Sequence, residues 1–98
     1  MNADNINEIK ARYKSSFVEK KKMIDDFRND LVKISVDQGD LFEQINADLH
    51  KLAGSLGMYG YSEMAEKARL GMKLSDNNEK QALLESLEAL SSMLAENG

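Results

Sequence analysis

The chain is 98 residues long, 42% apolar and 31% charged, with no proline, no cysteine, a single histidine and a formal net charge of −4. That length holds one domain (residues 1–98) with a modest core and no room for a nucleotide-binding subdomain. The acidic balance argues against nucleic acid as a partner; the missing cysteines exclude disulfides and thiol chemistry, and the lone histidine excludes a multi-histidine metal site.

Helix formers dominate, so the expected fold is all-α. Asp4 or Asn5 can cap a first helix, along which Ile6, Ile9, Tyr13 and Phe17 recur at helical spacing. The pattern runs on through Ile24, Phe27, Leu31 and Ile34, with a break signalled at Ser15-Ser16. This predicts a short first helix and a longer second one ending near Ser35, or a single bent helix. The charge run from Glu19 to Lys22 reads as a solvated face, with a basic patch for an acidic partner surface as the functional alternative.

Val36 to Asp40 is the first clear loop, with Asp37 or Asp40 as N-cap of a third helix over about Asp40 to Met58. Met58 to Tyr61 forms the next turn, and Ser62 is the expected cap of a fourth helix whose inward face is Met64, Ala65, Ala68 and Met72. Gly71 stands on that helix where a bulkier core residue is expected. After the loop Ser75-Asp76-Asn77-Asn78, a final helix to about Glu96 buries Leu83, Leu84, Leu87, Leu90 and Leu94. Short connections between amphipathic helices favour antiparallel neighbours: an up-down-up-down four-helix bundle with a short additional N-terminal helix.

The third helix carries the chemistry. At about 100° per residue, Leu49, Leu56, Ile45 and Leu52 fall roughly 100° to 160° from His50 on one side, with Phe42 and Leu41 at the margins. His50 therefore faces water. Asn46, Ala47, Ala53, Gly54 and Gly57 share its line and are small or polar. Glycine inside a helix costs about 1 kcal/mol relative to alanine, so Gly54, one turn from the imidazole, calls for a reason: clearance for another molecule's surface. For Gly57 and Gly60, an ordinary helix end and turn is an equally good reading. No Gly-Lys-Ser/Thr follows these glycines and no strand precedes them, which rules out a phosphate-binding loop and a nucleophile elbow. Met58 and Tyr59, at the end of the histidine helix, are candidates for a contact surface.

The run H-K-L-A-G-S-L-G-M-Y-G followed by Met64 resembles the signature of the histidine-containing phosphotransfer (HPt) domain family, with His50, Leu52, Gly54, Ser55, Gly60 and Met64 on the matching positions. The resemblance implies a phosphorelay intermediate: His50 as phosphoacceptor, phosphorylated on Nε2, with transfer to and from receiver-domain aspartates, no ATP site and no kinase activity. It implies receiver domains and a hybrid sensor kinase as partners, with Mg²⁺ supplied by the receiver and no cofactor on this chain. The family usually has lysine three residues after the histidine; this chain has Ala53, and a helper charge from Arg69, Lys67 or Lys73 on the next helix is the alternative. Lys51, Ala53, Gly54, Gly57, Met58 and Arg69 are the expected docking residues. A non-catalytic helical adaptor that binds a receiver or kinase without carrying phosphate is the competing reading. No signal peptide or spanning segment is visible, so a cytoplasmic monomer is expected, and Met1 with a polar tail ending in Gly98 favours a freestanding protein.

Overall fold

The structure, a computed structural model, describes residues 3–33, 39–77 and 79–97, with the side chains of residues 3–7 left out. It contains five helices: α1 (Ala3–Ser15), α2 (Phe17–Lys33), α3 (Gly39–Met58), α4 (Ser62–Asp76) and α5 (Lys80–Asn97). The fold is the expected all-α bundle of α2 to α5 with α1 added at the N-terminus. Closest packing joins α3 to α4, α4 to α5 and α5 to α2, while α2 and α3 stand further apart and complete the ring. The calls made on Ile34 to Gln38 and on Asn78 lie outside the described residues; Asp4 and Asn5, expected to cap the first helix, instead lie inside it, because α1 already runs from Ala3.

One core runs through the bundle. Phe17, Ile24, Phe27 and Leu31 enter it from α2, Phe42, Ile45, Leu49, Leu52 and Leu56 from α3, Met64, Ala65 and Ala68 from α4, and Leu83, Leu87, Leu90 and Leu94 from α5. Each large apolar side chain buried there contributes about 1.5–3 kcal/mol. Met72 and Leu84, expected inside, are only partly buried against this cluster.

Between α1 and α2 the helix is interrupted for one residue. Ser16 turns its amide and its hydroxyl to the Tyr13 carbonyl, a local bond that competes with the α-helical ladder. The molecule measures 51 × 19 × 18 Å, well beyond the roughly 30 Å of its longest helix, because α1 runs past the end of the bundle. Ile9, on the apolar spacing of the first helix, is consequently 39% exposed. The base of α1 is held by rings: Tyr13 stacks on Tyr59 at 4.2 Å and meets Phe17 edge-on at 5.5 Å, and Phe17 meets Tyr61 edge-on at 5.1 Å. Ser55 Oγ donates to the Leu52 carbonyl, which leaves it to accept from the Tyr13 hydroxyl at 2.6 Å. Burial pushes the Tyr13 phenol above its ordinary pKa, with the bond to Ser55 opposing.

The turn from α3 to α4 is closed by backbone bonds. Gly60 has φ +87°, the left-handed region that glycine enters without penalty. The Gly60 amide donates to Gly57 O and the Tyr61 amide to Leu56 O, the paired bonds that satisfy the last carbonyls of a helix ended this way. α4 then starts without a side-chain cap. Its N-cap is Tyr61, with Ser62 already in the first turn, so the expected serine cap is corrected: the turn stops the chain one residue earlier.

Gly71 now has its account. A Cβ there would lie 2.7 Å from Leu49 Cδ1. The missing side chain lets α4 lie closely against α3 next to the residue that precedes His50. Asn46, one turn before His50, adds a polar tether: its side-chain amide donates to Met72 O (3.0 Å), Ser75 Oγ (3.2 Å) and Asp76 Oδ1 (3.0 Å).

Candidate functional site: the exposed histidine face of α3

His50 is exposed, eight residues short of the end of α3 and flanked by the buried Leu49. The core stripe of α3 fixes this orientation. With Ile45, Leu49, Leu52 and Leu56 buried to 4% exposure or less, helical geometry leaves position 50 outside. Gly54 is exposed, and a Cβ there would meet nothing within 4 Å. Ala47 is exposed too. The imidazole thus stands on a strip of α3 with no bulky neighbour along its line. Among the described residues no side chain hydrogen-bonds the ring, so both nitrogens are open to an incoming group.

The other expected docking residues separate into three groups. Gly57 lies two turns beyond His50 on the same line, and a Cβ there would sit 3.6 Å from Arg69 Nη2. The Arg69 guanidinium from α4 therefore lies beside the histidine strip at the level of Gly57. Met58 is 73% exposed at the very end of α3. Lys51 is exposed but turned round the helix, where it borders a shallow groove between α2 and α3 with Lys20, Met23, Asp48, Leu52 and Ser55.

Ala53 is not at the rim. It is 4% exposed and belongs to the core. On the helix it falls beside Phe42 and Leu49, at the α4 edge of the buried stripe, and the close approach permitted by Gly71 covers it. Tyr59 is also committed elsewhere, stacked on Tyr13. Of the alternative cations, Lys67 sits on the α5 side of α4, where its carbonyl accepts from Ser86 Oγ, whereas Lys73 is exposed one turn beyond Arg69. From the sequence, Asn46 is only a small polar neighbour of His50. Its tethering role has no local signal, because its partners lie 26 to 30 residues away.

Among the described residues no group of three or more His, Cys, Asp or Glu side chains could hold a metal ion, and no helix is long and apolar enough to cross a membrane. The arrangement is that of a helical bundle presenting one accessible imidazole. The Hpt domain model matches residues 17–96, and the chain belongs to that family. Only α1 and its junction lie before the match. Neither the curated proteins nor the solved structures gave a match. Hpt domains are histidine phosphotransfer modules of two-component phosphorelays, working with receiver domains and kinases and lacking a kinase site of their own.

Proposed function

We propose that this chain relays a phosphoryl group between receiver-domain aspartates through His50. The observation that carries the reading is the exposed ring in mid-helix, with open space over Gly54, in a chain whose helical bundle matches the Hpt family. The ring nitrogen distal to the backbone, Nε2, reaches furthest into that space. Its lone pair forms the P–N bond as the acyl-phosphate P–O bond breaks, and the electron pair leaves with the receiver's carboxylate. The positive charge left on the ring is relieved by loss of the Nδ1 proton to water. A second receiver's carboxylate reverses the sequence.

Phosphoryl transfer depends chiefly on positioning and charge neutralisation. The bundle supplies positioning: the buried face of α3 fixes the bearing of His50, and the Asn46 tether and the Gly71 contact hold α3 against α4. Mg²⁺ and the acidic pocket belong to the receiver in this reading, and the chain needs no cofactor. It works as a monomer in the cytoplasm, charged by a hybrid sensor kinase through that kinase's receiver, and binds neither nucleic acid nor membrane. Docking uses the His50–Gly54–Gly57 strip, with Met58, Lys51 and Arg69 at its borders.

A second reading, a non-catalytic adaptor for a receiver or kinase, draws support from Ala53, a buried alanine where the family usually has lysine. Incubation with radiolabelled phospho-receiver separates the two. The relay reading expects acid-labile label on the wild type and none on His50→Gln. A wild type that binds the receiver but never takes label leaves the adaptor.

A further inference from the structure

We propose that Arg69 and Lys73, on the exposed edge of α4, form the cationic pair that meets the phosphoryl group on His50, in place of a lysine at position 53. The inference rests on the relay reading of His50 and adds the source of its neutralising charge.

The register between α3 and α4 carries the argument. Asn46 reaches Ser75, and Leu49 lies against Gly71. Climbing α3 therefore descends α4, and the level of His50 falls between Lys73 and Arg69. These two are one turn apart and share a face of their helix. Arg69 Nη2 lies 3.6 Å from where a Cβ on Gly57 would stand, which shows which face that is: the one bordering the histidine strip. Side chains on a helix lean toward its N-terminus. Lys73 accordingly leans up toward the level of His50, and Arg69 leans past it toward Gly57.

Charge and space agree with this assignment. Among the described residues neither Arg69 nor Lys73 forms an ion pair, although the chain has 17 acidic and 13 basic residues. Both are exposed. Gly57 gives the guanidinium a place to lie, and Gly54 leaves nothing on α3 between that place and the ring. Position 53 offers no charge in this chain, since Ala53 is a short apolar side chain, 4% exposed at the edge of the core. A two-cation edge across the helix interface does the same electrostatic work from outside.

Phosphoramidate, a small anionic phosphoryl donor, tests this without any receiver, because the chain has one histidine to label. The rate of His50 phosphorylation is measured at low salt and near 1 M salt for the wild type, Arg69→Ala, Lys73→Ala, the double variant and Arg69→Lys. Lys67→Ala, which removes a like charge on the α5 side, is the control. Exposed charge-assisted contacts of this kind predict a slowing of about threefold for each single variant and about tenfold for the double. The difference should close at 1 M salt, where screening acts over about 3 Å, and Arg69→Lys should recover most of the rate. Thermal midpoints should stay at the wild-type value throughout. A double variant that labels at the wild-type rate in low salt overturns the assignment, as does an equal slowing in Lys67→Ala. Failure of the relay reading shows separately, as no transfer to the wild type from a phospho-receiver.

Discussion

Two glycines in the middle of neighbouring helices should respond to the same substitution with different results. At Gly54 an added Cβ meets nothing within 4 Å; at Gly71 it comes to 2.7 Å from Leu49 Cδ1, with Leu83 Cδ1 and Ser86 Oγ at 3.8 Å. Replacing a mid-helix glycine by alanine gains about 1 kcal/mol of helix propensity in both cases. At Gly54 nothing opposes it, so Gly54→Ala should stabilise the fold by that amount and raise Tm by roughly 4–8 °C for a domain of this size. At Gly71 the terminal methyl of Leu49 must move, and Leu49 is fully buried. Overpacking a filled core costs about 1–3 kcal/mol, which cancels or reverses the propensity gain. Gly71→Ala should therefore lie about 1–3 kcal/mol below Gly54→Ala. Urea titrations followed by helical circular dichroism, compared at equal m-values, give the difference directly. A Gly71→Ala variant as stable as Gly54→Ala would refute the reasoning, because Leu49 would then have room that the packing denies it. Function should split the other way: Gly71 is beneath the surface, whereas Gly54 borders the ring.

Gly54→Glu should fold normally yet lose transfer from a phospho-receiver, since it adds bulk and a negative charge one turn from His50; normal transfer would place docking on another face. Asp25 joins α2 to α5: its carboxylate accepts from Lys21 Nζ (2.7 Å), Arg28 Nη1 (3.3 Å) and Ser91 Oγ (2.7 Å). Burial alone would raise its pKa, but those hydrogen bonds outweigh burial and hold it below the usual carboxylate value of 3.8. With the folded value the lower one, the stabilisation is full above the unfolded pKa and is lost as pH falls through the folded one. Stability of the wild type should therefore decline below about pH 4 by more than that of Asp25→Asn; parallel acid profiles for the two would contradict this. Tyr13→Phe removes the bond to Ser55 while keeping the ring stack, and should cost about 1 kcal/mol, read as a lower urea midpoint with an unchanged transfer rate.

The histidine helix was legible almost to the residue, expected from about Asp40 to Met58 and found from Gly39 to Met58, because Ile45, Leu49, Leu52 and Leu56 define one face unambiguously. Ala53 was not legible. Alanine carries too little hydrophobic signal to place the edge of a stripe, and only the approach of α4 decides whether that edge is covered. Gly71 reads in sequence as a gap in a core face; its meaning lies in Leu49, 22 positions earlier. Asn46 shares this difficulty, being polar on its own helix and informative only through Met72, Ser75 and Asp76. Ser62 had the right chemistry for a cap, but the left-handed Gly60 ended the turn before it could act as one. Local periodicity thus located the helices and the ring, while every feature that depends on how α3 meets α4 required the fold.

A two-receiver reconstitution tests the relay most directly. One receiver domain is phosphorylated with labelled acetyl phosphate and freed of donor, then mixed with a second, unlabelled receiver, with this chain absent or present at a tenth of their concentration. If His50 is a way-station, label should pass to the second receiver only when the wild-type chain is present, with a transient acid-labile fraction on the chain itself. Equal passage in the presence of His50→Gln, or passage without any label ever appearing on the chain, would contradict the account.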